Sequence, residues 1–102
     1  MTTYRFQIAH DYGTDLSSRH RAAQLRNTIV EASSHSGATC EVDFAGVRTL
    51  SDSFADEVFA VLVAEHGEDW FREHVAVVNL PPRIRTTILE TIADRLSLSG
   101  PK

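Results

Sequence analysis

Apolar and polar positions alternate with period two from Thr3 to Ala9, which predicts a strand whose buried face carries Tyr4, Phe6 and Ile8. Residues His10 to Asp15 are rich in turn formers around Gly13 and predict a loop. From about Leu16 to Ser34, Ala22, Leu25, Ile29 and Ala32 recur at helical spacing, with Ser17 or Ser18 as N-cap and Ser36-Gly37 as the stop. Alternation returns from Ala38 to Phe44, setting Ala38, Cys40, Val42 and Phe44 inward and Thr39, Glu41 and Asp43 outward. A turn at Ala45-Gly46 leads through Val47 to Leu50 into the polar group Ser51, Asp52 and Ser53. The second helix then carries Phe54, Val58, Val61 and Leu62 on one side, down to Glu65. Gly67 breaks it, and Glu68 to His74 reads as a short extra turn or helix. Val75 to Asn79 is a short apolar strand, and Pro81-Pro82 opens a last helix striped by Ile84, Ile88, Ile92 and Leu96.

Strand, helix, strand, helix, strand, helix is the order of an α/β domain with a small, mostly parallel or mixed sheet. A parallel sheet covered on both faces reads as continuous apolar runs. Here Arg5, Gln7, Glu41 and Asp43 occupy the outward positions, so the helices are expected mainly on one face. The 102 residues make one domain, 1–102, with residues 98–102 as a frayed tail.

The net charge of −4 works against nucleic-acid binding, which needs a basic excess. No apolar run reaches the roughly 18 residues that span a bilayer, and the first residues lack a signal-peptide core. With a single cysteine, Cys40, there is no internal disulfide framework. The expectation is a soluble, cytoplasmic protein.

Chemistry-bearing motifs are few. The five histidines lack the i, i+4 pairing of a helical metal motif, and Gly37 and Gly46 are too isolated to form a phosphate loop. No metal or cofactor is expected. Cys40, inward on its strand, reads as a small hydrophobe, and Trp70 and Phe71 as cover over the end of the second helix. No nucleophile, base and orienting group can be named together, so the chain does not read as an enzyme. The stretch Ser51 to Glu57 stands out because it joins a strand end to a helix start, where free N–H groups and the helix dipole gather. Part of it reads as a capping box, with Ser53 accepting from the first turn and Asp56 reaching back. Ser51, Asp52 and Glu57 add polar groups beyond that need, on the sheet edge where α/β domains place their sites. Arg19, after the first strand, opens on the same edge and suits an acidic or phosphorylated group.

Residues Val42–Val47, Leu50–Glu57 and Val77–Leu80, with Gly13, Leu16–Arg19 and Leu25-Arg26 upstream, resemble the STAS-like family of unknown function. That family is a compact relative of the STAS domains of anti-sigma factor antagonists, and the resemblance covers nearly the whole chain. It implies a small sheet with helices on one side. In the antagonists this loop reads aspartate-serine-serine-glycine, and its serine is phosphorylated by a kinase of the histidine-kinase-like ATPase class. In this chain Asp52 aligns with that serine and Phe54 with the glycine; a one-residue shift brings Ser53 or Ser51 into the role. The resemblance implies a regulatory module whose protein partner is a histidine-kinase-like ATPase or anti-sigma-type kinase. Ser51, Asp52, Ser53, Asp56, Glu57 and Arg19 are then its partner-binding or regulatory residues. The other expectation is a small-ligand or nucleotide/anion sensor, with its pocket between Arg19 and the helix start at Ser53.

Overall fold

The computed structural model describes residues 2–35 and 37–99. In chain order, β1 (Thr2–Gln7) runs into a five-residue α1 (Ile8–Tyr12), then β2 (Asp15–Leu16) and α2 (Arg19–Ser33). Next come β3 (Ala38–Asp43) and β4 (Thr49–Leu50). An unbroken central helix follows: α3 (Asp52–Ala55), a π-helical segment (Asp56–Ala60) and α4 (Val61–His66). After Gly67 come α5 (Glu68–His74), β5 (Val75–Val78) and the long α6 (Pro82–Ser99).

The three longer strands form one parallel sheet in the order β1-β3-β5, with Tyr4 beside Cys40 and Val42 beside Val77. β2 and β4 make a separate two-residue parallel pair, Asp15 beside Thr49 and Leu16 beside Leu50. The strand-helix alternation therefore gives the α/β architecture expected from the pattern, with the small sheet that the family resemblance implies.

Burial follows the alternation in β3. Cys40, Val42 and Phe44 are fully enclosed, and Leu25 and Ile29 of α2, Phe54, Val58 and Phe59 of the central helix and Ile88 of α6 join them in one core. The Phe44 and Phe59 rings lie 5.9 Å apart, a tilted aromatic pair. The opposite face stays open at Arg5, Gln7 and Ala76, and Arg5 pairs with Glu41 across the strands at 3.1 Å. Thr39, Glu41 and Asp43 are half-buried on that face, since the central strand has a neighbour on each side.

Several local expectations are corrected. The loop expected at His10 begins as α1, so Ile8 is buried from a helix rather than from the strand. The central helix is not one-sided: Val58, Phe59 and Ala60 are buried in succession, because α2 and α6 pack against it and Phe59 meets Phe44 at the end of β3. On α6 the buried row is Ile84, Ile88 and Thr91, with Ile92 and Leu96 only half-buried. A spacing of four advances about 40° past a full turn at each step, so the sequence stripe drifts off the core side. The stop expected at Ser36-Gly37 falls partly outside the described residues. α6 runs to Ser99, and residues 100–102 of the expected tail are outside them too.

Gly46 is required where it stands. Val47 N–H bonds back to Phe44 C=O at 3.0 Å, closing a tight turn, and Gly46 sits at φ +87°. A Cβ there would come within 3.3 Å of the Ala9 Cβ as well as adopting the left-handed backbone. Beyond the turn, Asn79, also at positive φ, donates to Asp43 Oδ1 at 2.9 Å, and Ala45 N–H donates to the same oxygen at 2.8 Å. These bonds lower the Asp43 pKa, the Asn79 bond most.

Among the described residues, no helix is long and apolar enough to cross a membrane.

Candidate functional site

Two loops expected on one sheet edge are stitched together by the small β2–β4 pair. Ser51 N–H donates to Leu16 C=O at 2.8 Å, which sets residues 17–19 directly beside the start of the central helix. Each loop supplies its own helix cap. Ser18 Oγ accepts from Arg21 N–H at 3.2 Å, and Ser51 Oγ accepts from Phe54 N–H at 3.1 Å.

The second cap corrects the sequence reading. The N-cap is Ser51, not Ser53, and the central helix starts at Asp52. Beginning the helix there brings Phe54 to its third position, where the ring enters the core. Asp52 lies exposed in the first turn, favourably placed for the helix dipole, and Ser53 is half-buried beside it.

Asp56 does not reach back to a cap either. It and Glu57 are the acidic half of an ion cluster drawing on three helices. Arg95 of α6 grips Asp56 with Nε to Oδ1 at 2.8 Å and Nη2 to Oδ2 at 2.7 Å. Arg19 Nη1 lies 2.9 Å from Glu57 Oε1 and 3.4 Å from Asp56 Oδ2. Arg26 Nη1 donates both to the Glu57 carboxylate and, at 2.6 Å, to the Glu57 backbone C=O.

That last bond explains why the cluster sits where it does. In the π-helical turn, Val61 N–H returns to Asp56 C=O, five residues back instead of four. The wider turn displaces the ordinary ladder, and Arg26 meets the Glu57 carbonyl from outside the helix. The same turn brings both carboxylates round to α2 and α6, where their cations wait.

The electrostatics agree with the contacts. Asp56 and Glu57 side chains are 19% and 23% exposed, so their pairs are partly desolvated and screened less than surface pairs. Arg95, through its hydrogen bonds, is the main cause holding the Asp56 carboxyl below its ordinary range, and Arg26 does the same for Glu57. Reciprocally, Glu57 chiefly raises Arg19 and Asp56 chiefly raises Arg95. Both carboxylates are ionised at neutral pH.

The structure therefore brings together all six expected residues but divides their work. Asp56, Glu57 and Arg19 form the cluster, Ser51 is a cap, and exposed Asp52 and half-buried Ser53 make the edge. Arg26 and Arg95 complete the cluster without having been read as site residues. Arg95 had a signal: it lies seven positions after Ile88, which sets a cation on the core side of α6. The π turn left no comparable trace.

Elsewhere, Cys40 lies deep in the core with Ser33 Oγ at 3.3 Å, and burial pushes its thiol up, as suits an inert side chain. Among the described residues, no group of three or more histidine, cysteine, aspartate or glutamate side chains is placed to hold a metal.

A family model described as STAS-like domain of unknown function (DUF4325) matches residues 21–85. No curated protein and no solved structure matches the chain.

Proposed function

The chain belongs to the STAS-like domain family, and on that footing we propose that it is a non-enzymatic regulatory module. It engages a protein partner through the edge from Ser51 to Glu57. The partner is of the histidine-kinase-like ATPase or anti-sigma-type kinase class, the class that the likeness to anti-sigma factor antagonists implies.

The observation that carries this reading is the division of labour at the helix start. Arg19, Arg26 and Arg95 hold Asp56 and Glu57 from α2 and α6, which fixes the first turns of the central helix in place. On that fixed base Asp52 is left exposed, with Ser53 half-buried beside it. A recognition surface that is already ordered loses little conformational freedom on binding. Asp52 keeps the edge negatively charged at the position where the antagonists carry a switchable serine.

The sensor reading finds less support in the same geometry. Arg19, its proposed anion ligand, is engaged with two carboxylates, and the α-helical turn before the π segment spans only Asp52–Ala55. An incoming anion would have to displace Glu57 first.

Capture from the native host tests the proposal, with wild type and Ser53→Glu as parallel baits and mass spectrometry as readout. An ATPase of the histidine-kinase-like class retained by wild type and depleted at least tenfold on the variant is the expected result. Equal recovery on both baits, with both folded, contradicts the assigned surface.

A further inference from the structure

β1 is an outer strand of the sheet, hydrogen-bonded to β3 on one side, with no strand beyond it among the described residues. Thr2 N–H donates to Gly37 C=O at 3.4 Å, so the even-numbered residues of β1 aim their backbone groups at β3. Thr3, Arg5 and Gln7 therefore aim theirs away from the sheet, and all three residues are exposed. Gln7 is the N-cap of α1, and its C=O is committed to that helix. The free edge is thus the N–H and C=O of Thr3 and Arg5.

The side chains agree. Tyr4 and Phe6 turn toward the helices, as their neighbours Cys40 and Val42 do, yet they are half-buried where the β3 pair is fully enclosed. The other outer strand, β5, is shorter, four residues against six, and α5 runs directly into it and packs against it. β1 is the longer open edge.

We propose that β1 pairs antiparallel with β1 of a second copy about a two-fold axis at Tyr4, joining two three-stranded sheets into one. Two identical edges related by a two-fold meet antiparallel, and few registers suit them. The free groups lie on odd-numbered residues, so odd must face odd. An axis at Arg5 sets two arginines directly opposite, which like charges disfavour. An axis at Phe6 pairs Arg5 with Gln7, whose C=O is already taken. An axis at Thr3 carries Arg5 past the start of β1. The axis at Tyr4 sets Thr3 of each copy opposite Arg5 of the other, and each such pair exchanges both its bonds, so every free group is used. The Tyr4 side chains then meet on the axis, and Thr2 of each copy lies opposite Phe6 of the other, covering what one chain leaves half-open. A strand from another protein would need two free residues at the same spacing, no cation opposite Arg5 and an apolar side chain between them. The chain's own edge meets all three requirements. β1 belongs neither to the Ser51–Glu57 edge nor to the ion cluster, so the dimer and the proposed partner surface stand or fall separately.

Sedimentation velocity over a concentration series tests the pairing, with a melting curve beside each protein. Wild type passes from monomer to dimer as concentration rises. Thr3→Pro removes an outward N–H from an edge strand, where proline is tolerated. It melts like wild type in dilute solution and raises the dimer dissociation constant at least tenfold. Thr3→Glu, facing Arg5 of the other copy, tightens the dimer, and Thr3→Arg loosens it. Oxidation reads the register. Tyr4→Cys forms a disulfide dimer, because facing residues of a non-hydrogen-bonded pair stand about 4.5 Å apart at Cα. Phe6→Cys, set opposite Thr2 rather than its own counterpart, does not. Wild type that stays monomeric at millimolar concentration overturns the proposal, even if the edge then captures a strand from another chain. So does a dimer that folded Thr3→Pro leaves equally tight, or crosslinking through Phe6→Cys and not through Tyr4→Cys.

Discussion

Arg95 clasps Asp56 with two hydrogen bonds of 2.8 and 2.7 Å, joining residues 39 positions apart and fastening the last helix to the π turn of the central one. A forked guanidinium-carboxylate contact holds direction as well as distance. Arg95→Ala is expected to destabilise the chain by about 1.5–3 kcal/mol, the range for a hydrogen bond to a charged group. Asp56 keeps Arg19 nearby, which holds the loss below that of a fully orphaned carboxylate. Arg95→Lys retains the charge but not the fork, and should recover only part of the loss. Urea denaturation of the three proteins measures this; three coincident curves would mean that the clasp contributes nothing.

The cluster also fixes how stability responds to acid. Asp56 and Glu57 have folded pKa values below their ordinary ones, so the folded chain binds fewer protons than the unfolded chain as pH falls. Their contribution is fully present above about pH 5 and is lost progressively as pH drops through the ordinary carboxylate range, near 4, toward the folded values. Asp43, lowered by Asn79, adds to the same trend. Asp56→Asn should be less stable at pH 7 and show a shallower decline between about pH 5 and pH 3. Parallel curves for wild type and variant would remove Asp56 from the acid response.

Ser51 and Ser53 are separable by their roles at the helix start. Ser51→Ala removes the oxygen that accepts from Phe54 N–H and should cost about 1 kcal/mol. Ser53→Ala should stay within about 0.5 kcal/mol of wild type, as for a surface substitution away from caps and core. Chemical denaturation of both variants checks the assignment, and the reverse order would restore the cap to Ser53.

The sheet makes its own prediction. Val42, fully enclosed at the centre of β3, should lose about 1–3 kcal/mol on truncation to alanine. Thr39→Ala, on the open face of the same strand, should be nearly neutral. Equal losses at both positions would mean that both faces of the sheet are packed.

Much of this fold was legible because period-two alternation and helical spacing both report burial directly. Cys40, Val42 and Phe44 against Thr39, Glu41 and Asp43 gave the one-sided sheet, and Pro82 marked the start of α6. What escaped depends on tertiary partners. The helix α1 forms in a stretch of turn-forming residues, around buried Ile8. The π turn requires knowing that Arg26 and Arg95 approach Glu57 and Asp56 from other helices. For the same reason Asp56 passes for a capping residue in one dimension and proves to be an ion-pair anchor in three.

The central claim is that the outward edge of the helix start recognises a protein, while the cluster beneath it serves the fold. Calorimetric titration of the captured ATPase with wild type and Ser53→Glu, each with its own melting curve, measures that separation most directly. Ser53 lies in the same first turn as Asp52 and one turn before Asp56 and Glu57, so the added carboxylate alters the charge of the edge without entering the core. The expected result is a melting temperature close to wild type with binding weakened at least tenfold, about 1.4 kcal/mol. Unchanged affinity in a folded Ser53→Glu variant would contradict the claim and leave Ser51 to Glu57 with a structural role alone.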